Sequence, residues 1–292
     1  MISRRRFLAI TAASIAASPV QARASTHWRG HALGAEAAIT LRGPRGKADA
    51  ALGAARATLD RVERLFSLYR QDSWLRRLND TCAAVAEAET LALLRLCDRV
   101  HRQTRGLFDP TVQVLWRAAA RGEDPRHYLD HVDWSKVTIG SRMQLGTSQT
   151  LTLNGIAQGW ATDRVTEVLA EHGFTDALIN IGEFRAEAGD WRIGISDPNE
   201  GLVRTARLSG GAIATSSPAV DRIDGHPHIF GPAGQRALWS TVSVEARTAA
   251  LADALSTALC LAPRPLAETI LRAEDVFAIT LVADNGDISV LR

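Results

Sequence analysis

The 292-residue chain is long enough for one large domain or two small ones with a sizeable core. Its 46% apolar and 23% charged residues are the composition of a globular protein rather than of a disordered or fibrous one. The formal charge of +2 depends on Arg4, Arg5, Arg6 and Arg23; without them 30 Lys and Arg face 32 Asp and Glu, which argues against nucleic acid as a partner.

Residues 1–24 carry a twin-arginine pattern, Ser3-Arg4-Arg5-Arg6-Phe7-Leu8, then an apolar stretch from Ala9 to Ala17 and small residues at Ala22-Arg23-Ala24. A cleaved export signal is expected, with the twin-arginine machinery as a transient partner and the periplasm as destination. The apolar run is too short to span a bilayer, so no stable membrane insertion after cleavage is expected. An uncleaved anchor or a basic tail is the competing reading.

His31–Leu41 alternates and predicts a strand after a turn at Gly34. Residues 47–68 predict a helix with Leu52, Leu59, Val62, Leu65 and Phe66 on one face. Asp72-Ser73 caps a short helix through Trp74, Leu75 and Leu78, and 90–104 predicts another with Leu91, Leu94, Cys97 and Val100 inward. Gly106-Leu107-Phe108-Asp109-Pro110-Thr111 is a turn opening a helix over 112–120. A cap alone would account for Asp109. Residues 121–136 are polar and irregular, an insertion or a lobe boundary, and a short hairpin is expected over 137–145.

The chain is organised around LTLNGIAQGWATD, residues 151–163. A strand-like Leu151 and Leu153 stop at Asn154-Gly155, and a helix follows through Trp160, Val165 and Leu169 to His172-Gly173. Glycines that admit close backbone approach, beside the unpaired N–H groups of a new helix, suit a phosphate; the same pattern also serves plain α/β architecture.

Strands are then expected at 177–181, 191–195, 202–208, 211–215 and 242–244. A hairpin turns at Asp224-Gly225. An Ala-rich helix over 248–261 stops at Pro263 and Pro265; a short helix over 266–271 and a hairpin around Asn285-Gly286 finish the chain. Strands and helices mix without a βαβ rhythm, so the fold class is α+β. Cys82, Cys97 and Cys260 have no ligand spacing and read as buried small residues.

Three groups could carry chemistry. Asp253 and Thr257 share a helix face one turn apart, which suits a hard cation such as Mg²⁺, or else a helix-start carboxylate and a hydroxyl bonded to the preceding turn. His226 and His228 alternate on a hairpin without a third zinc ligand; one imidazole acting as general base, or two solvent-facing rings, are the readings. Ser216-Ser217 lack a nucleophile elbow, so a hydrolase triad is rejected.

The chain resembles the ApbE family of flavin transferases, and within it the NosX type of nitrous oxide reduction. The resemblance is carried by Ala32-Leu33-Gly34-Ala35, Ser67-Leu68-Tyr69, Gly106 to Thr111, Gly155 to Asp163, Asn180-Ile181-Gly182-Glu183, His228 to Pro232 and Ala252 to Ala258, in that order. It implies a two-lobed mixed fold over residues 25–292, with FAD in a cleft between lobes and Mg²⁺ at the pyrophosphate. Leu33, Tyr69, Leu107, Phe108, Asp109, Gln158 and Ile229 match flavin contacts. Gly155 through its carbonyl, Asp253 and Thr257 match metal ligands, and His228 matches the histidine needed for transfer. The implied reaction moves FMN from FAD to a Thr or Ser hydroxyl of an acceptor such as a NosR-like membrane flavoprotein, releasing AMP. Three positions depart from the family pattern: Thr152 and Gly231 replace aspartates, and Gln158 often replaces a lysine. A protein that holds FAD without cutting it is the alternative.

Overall fold

The structure is a computed structural model that describes residues 25–220, 222–273 and 275–292; the expected export signal lies outside them. In chain order the elements are β1 (Ser25–Ala32), β2 (Ala35–Arg42), α1 (Arg45–Phe66), α2 (Trp74–Thr81), β3 (Ala83–Val85) and α3 (Ala88–Gln103). A 3-10 turn at Pro110–Val112 leads into α4 (Gln113–Ala120), and two more at Pro125–His131 and Trp134–Lys136 lead to β4 (Arg142–Gln144). Then come α5 (Ala157–Glu171), β5 (Ala177–Ile181), β6 (Phe184–Ala186), β7 (Trp191–Asp197), β8 (Gly201–Leu208) and β9 (Gly211–Ser216). The chain finishes with β10 (Arg222–Ile223), β11 (His226–Pro227), β12 (Thr241–Ala246), α6 (Ala249–Leu259), α7 (Arg264–Leu271), β13 (Val276–Val282) and β14 (Ile288–Leu291).

An antiparallel sheet of order β1-β2-β5-β6-β9-β12-β13-β14 forms the frame. Side chains alternate across it. Ala214 of β9 enters the large core shared with α1, α3, α5 and α6, while its neighbour Ile213 enters a smaller core closed by the β7–β8 hairpin around Trp191, Ile193 and Ile195. The α+β class read from the sequence is the class observed.

Amphipathic spacing explains the helices that cover the large core. Leu52, Leu59, Val62, Leu65 and Phe66 of α1 are all buried, as are Leu94, Cys97 and Val100 of α3; Leu91 is only half-buried. Ser73 caps α2 by accepting from the Arg76 N–H. Of the cysteines, Cys97 and Cys260 are buried and Cys82 is exposed.

Several expectations need correction. The strand expected over 31–41 is a hairpin whose first arm begins at Ser25. Leu33 and Gly34 turn it with φ of 50° and 82°, the left-handed pair that a two-residue hairpin requires. Residues 151–153 join no sheet. The Asn79 side chain donates to the Leu151 carbonyl and accepts from its N–H, so one amide replaces a strand partner. The hairpin expected over 137–145 shrinks to a single bridge between Thr138 and Gln144, because β4 pairs with β3 instead. Pro263 and Pro265 stop α6 but also open α7.

The junction of α5 with α6 is tightly packed and joined by hydrogen bonds. Gly159 meets the first residue of α6 so closely that a Cβ there would lie 2.3 Å from the Ala249 carbonyl oxygen. Asp163, one turn further on, accepts from the N–H groups of Ala249 (2.8 Å) and Ala250 (3.0 Å), satisfying donors that a helix start leaves unpaired. The same carboxylate pairs with the buried Arg185 of β6. Asp163→Ala would strip the acceptor of the Ala249 and Ala250 N–H groups and leave the buried Arg185 with only the partly exposed Glu187 as a partner, an expected loss of about 3 kcal/mol measurable by urea unfolding. An unchanged unfolding midpoint would show that the junction does not hold α6 in place.

Candidate active site

A cavity of about 480 Å³ opens where the turn before α5, the inner face of α6, the end of β9, the Leu107–Pro110 turn and the segment after β11 converge. Its polar wall is built by helical spacing. Asp253 and Thr257 sit one turn apart on α6 and both face the cavity. Gly155 lies directly against them: a Cβ at this position would be 2.9 Å from Thr257 Oγ1. Ser216, at the end of β9, completes the wall, with its hydroxyl 2.8 Å from that of Ser256 and 3.5 Å from that of Thr257.

Asp253 is 3% exposed and accepts from the Gly159 N–H through Oδ2 at 3.0 Å. Burial pushes its carboxyl up to about 7; the Gly159 N–H works against that rise and the nearby Asp163 charge adds to it. Glu183 also lines the cavity, 6% exposed. Burial pushes it well above the usual carboxylate range, the Asp253 charge raises it further, and the Thr215 N–H opposes the shift. The sequence marks Glu183 only as the end of the Asn180-Ile181-Gly182-Glu183 motif and gives it no role in the site. The signal available was a carboxylate directly after the buried strand β5.

Asp109 combines two roles that the sequence left as alternatives. It caps the following turn, accepting from the Thr111 N–H at 2.8 Å and hydroxyl at 2.6 Å, and it also lines the cavity. Burial raises its carboxyl, against the Thr111 hydrogen bonds and the His101 ring 3.9 Å away.

The start of α5 departs from the expected phosphate cradle. The Ala157 N–H donates to the Leu153 carbonyl at 2.8 Å and the Gly159 N–H to Asp253, so two of its donors are already taken. Close backbone approach is what the glycines supply here: Gly155 to Thr257 and Gly159 to α6.

The cavity brings together Leu107, Phe108, Asp109, Gly155 and Gln158 with His228, Ile229, Asp253 and Thr257. Leu33 and Tyr69 are not among its lining residues. They stand together at the β1–β2 turn, where the Leu33 N–H donates to Glu63 at 2.9 Å and a Cβ on Gly34 would lie 3.6 Å from the Tyr69 ring. Tyr69 is 63% exposed.

The histidine pair is divided by the hairpin. His226 belongs to β11, its ring 6.1 Å from Phe230, while His228 lies beyond the strand and lines the cavity. The serines are engaged in hydrogen bonds, Ser217 with Thr241 at 2.7 Å, which agrees with rejecting a triad. Trp116, Phe184 and Phe230 contribute aromatic wall that the sequence did not single out.

Two of the departures acquire a physical meaning. Thr152 lines the cavity, and its hydroxyl accepts from the Asn154 N–H at 3.2 Å. Gly231 is buried in a tight turn where a Cβ would lie 2.3 Å from the Gln235 carbonyl oxygen, so an aspartate there requires a different loop path.

The residues present fit a hard divalent cation. A carboxylate, a hydroxyl and a closely approaching backbone are oxygen donors of the kind Mg²⁺ takes while keeping sites for phosphate. Four buried carboxylates, Asp109, Glu183, Asp197 and Asp253, line the cavity, and no Lys or Arg is among its lining residues to balance them. Among the described residues no group of three or more His, Cys, Asp or Glu is arranged to hold a metal, so a cation here relies on neutral oxygens as well. Among those residues, too, no helix is long and apolar enough to cross a membrane.

The chain is similar to known proteins in sequence and in fold. The model of the ApbE family matches residues 33–280. The FAD:protein FMN transferase of Klebsiella pneumoniae (strain 342) is 24% identical over 298 residues, covering 90% of this chain and 83% of that one. The FAD:protein FMN transferase of Rhodobacter capsulatus is 32% identical over 213 residues, 64% of this chain and 41% of that one. The flavin transferase ApbE from Vibrio cholerae superposes with a TM-score of 0.77 at 22% identity, over 92% of this chain and 96% of that one. The ApbE protein of Thermotoga maritima gives 0.79 at 24% identity, over 91% and 96%.

Proposed function

Because the chain belongs to the ApbE family, we propose that it is an FAD:protein FMN transferase, dependent on Mg²⁺ and exported by the twin-arginine route to the periplasm. The observation that carries the site assignment is the cavity wall of Asp253, Thr257 and Gly155, with buried carboxylates and no Lys or Arg. A pyrophosphate would be repelled from it unless a divalent cation came too.

In this reading Asp253, Thr257 and the Gly155 carbonyl hold Mg²⁺, which when bound neutralises pyrophosphate charge and polarises the phosphoryl group. Leu107, Phe108, Asp109, Gln158 and Ile229 contact the flavin nucleotide inside the cavity, and Leu33 and Tyr69 contact it at the exposed β1–β2 turn. His228 takes the proton from the acceptor's Thr or Ser hydroxyl. The hydroxyl oxygen bonds to the FMN phosphorus, the bond to the second phosphate breaks, and AMP leaves. The tight Gly155 approach keeps the donors of the turn and of α6 within one ion's reach.

The NosX type is the subgroup we assign, on the Asn154-Gly155-Ile156-Ala157-Gln158 wording and the leader pattern. A NosR-like membrane flavoprotein is then the acceptor. A second reading rests on Gly231, whose turn has no room for the family's carboxylate: the protein would carry FAD, without cutting it, for nitrous oxide reductase maturation.

Incubation with FAD, Mg²⁺ and an acceptor fragment decides between them. Transfer predicts flavin fluorescence that stays with the acceptor on a denaturing gel, matched by free AMP. Yellow protein with neither signal selects the carrier, and colourless protein removes both.

A further inference from the structure

Glu183 is a buried carboxylate in the cavity that the oxygen set of Asp253, Thr257 and Gly155 leaves unused. It follows the left-handed Gly182 at the end of β5. Its Oε2 accepts from the Thr215 N–H at 3.2 Å. Among the described residues no donor reaches its other oxygen, and the side chain lines the cavity. Thr215 immediately precedes Ser216, whose hydroxyl is 3.5 Å from Thr257 Oγ1. Adjacent residues of β9 therefore anchor Glu183 on one side and touch Thr257 on the other. Asp253, one turn before Thr257, is the charged neighbour acting on Glu183.

We propose that Glu183 is a further ligand of the divalent cation held by Asp253, Thr257 and the Gly155 carbonyl. It rests on the cation part of the function proposed above. The physical reason is charge balance. No Lys or Arg lines the cavity, and Arg185, two residues on, is engaged by Asp163. Of the other carboxylates that line the cavity, Asp109 spends its oxygens on Thr111 and Trp134, and Asp197 on Ser240, Thr241 and the Asn199 and Glu200 N–H groups, so Asp253 alone would leave a bound divalent ion with a net positive charge. Two carboxylates neutralise it, so the cation binds before FAD arrives.

Mn²⁺ serves as the probe, added to the full chain without FAD and followed by electron paramagnetic resonance and by the thermal shift it produces. Wild type is expected to bind one Mn²⁺. E183Q, which keeps the size and an oxygen for Thr215, is expected to bind at least tenfold more weakly and to gain little melting temperature from Mn²⁺, while melting in EDTA no lower than wild type. E183D, which keeps the charge at shorter reach, is expected to fall between the two. Wild-type affinity in E183Q, or in E183D should E183Q not fold, overturns the inference. The D253N variant separates the two readings. If D253N loses Mn²⁺ and E183Q does not, only the role of Glu183 fails; if D253N also binds normally, the cation site itself is misplaced.

Discussion

His228→Ala is expected to leave FAD binding intact and to lower transfer of FMN to the acceptor by about 10²–10⁴-fold, the usual contribution of a positioned general base. His228 lines the cavity from the segment after β11, whereas Asp253, Thr257 and Gly155 line it from α6 and the turn before α5. Flavin retention and transfer therefore separate in one variant. His226→Ala is the control, because His226 lies outside the cavity lining against Phe230 and its loss should leave the rate near wild type. Full transfer by His228→Ala would remove the proton-accepting role, and loss of flavin together with transfer would make the residue a binding group.

The second large effect is at Asp253. Asp253→Asn is expected to remove Mg²⁺-dependent turnover, a loss of about 10²–10³-fold if the cation supplies several kcal/mol of charge stabilisation. It also carries a stability signature with a definite sign. Burial holds the folded-state carboxyl near 7, far above the unfolded value of about 3.9. Between those two values the folded chain binds the extra proton, so this group's contribution is fully present below about pH 4 and is lost as pH rises through about 7. Glu183 shifts in the same direction for the same cause. In EDTA at pH 8, Asp253→Asn should therefore melt above wild type, and the difference should shrink as the pH is lowered toward 4. Adding Mg²⁺ should raise the wild type and leave the variant nearly unmoved. A variant that melts lower than wild type at pH 8 in EDTA would mean that the carboxylate is already compensated by something other than a cation.

Where the sequence was legible, one local pattern sufficed. The inward residues of α1 and α3 follow from helical spacing, Ser73 and Asp109 from cap chemistry, and the terminal hairpin from Asn285-Gly286. Asp253 and Thr257 were visible as a pair because one turn of a helix carries both. Pairings between distant segments were not legible. The Asn79 amide stands in for a strand partner of Leu151 across 72 positions, and β4 chose β3 over its nearer hairpin mate.

The same division holds at the cavity. The ordered motifs pointed to the family and to part of the lining, since a glycine turn, a helix face and a histidine hairpin are each written in contiguous residues. Three matters depended on how remote elements pack. Gly159 donates its N–H to Asp253 instead of keeping it for phosphate, because α5 meets α6 with no room for a side chain. Leu33 and Tyr69 stand at a separate exposed turn. Glu183, unremarkable beside Gly182, becomes a buried carboxylate within reach of the Asp253 charge because β5, β9 and α6 converge on one space. Local chemistry is set by neighbours along the chain, which the sequence records; burial and charge balance are set by neighbours across it, which only the folded sheet and helices bring into contact.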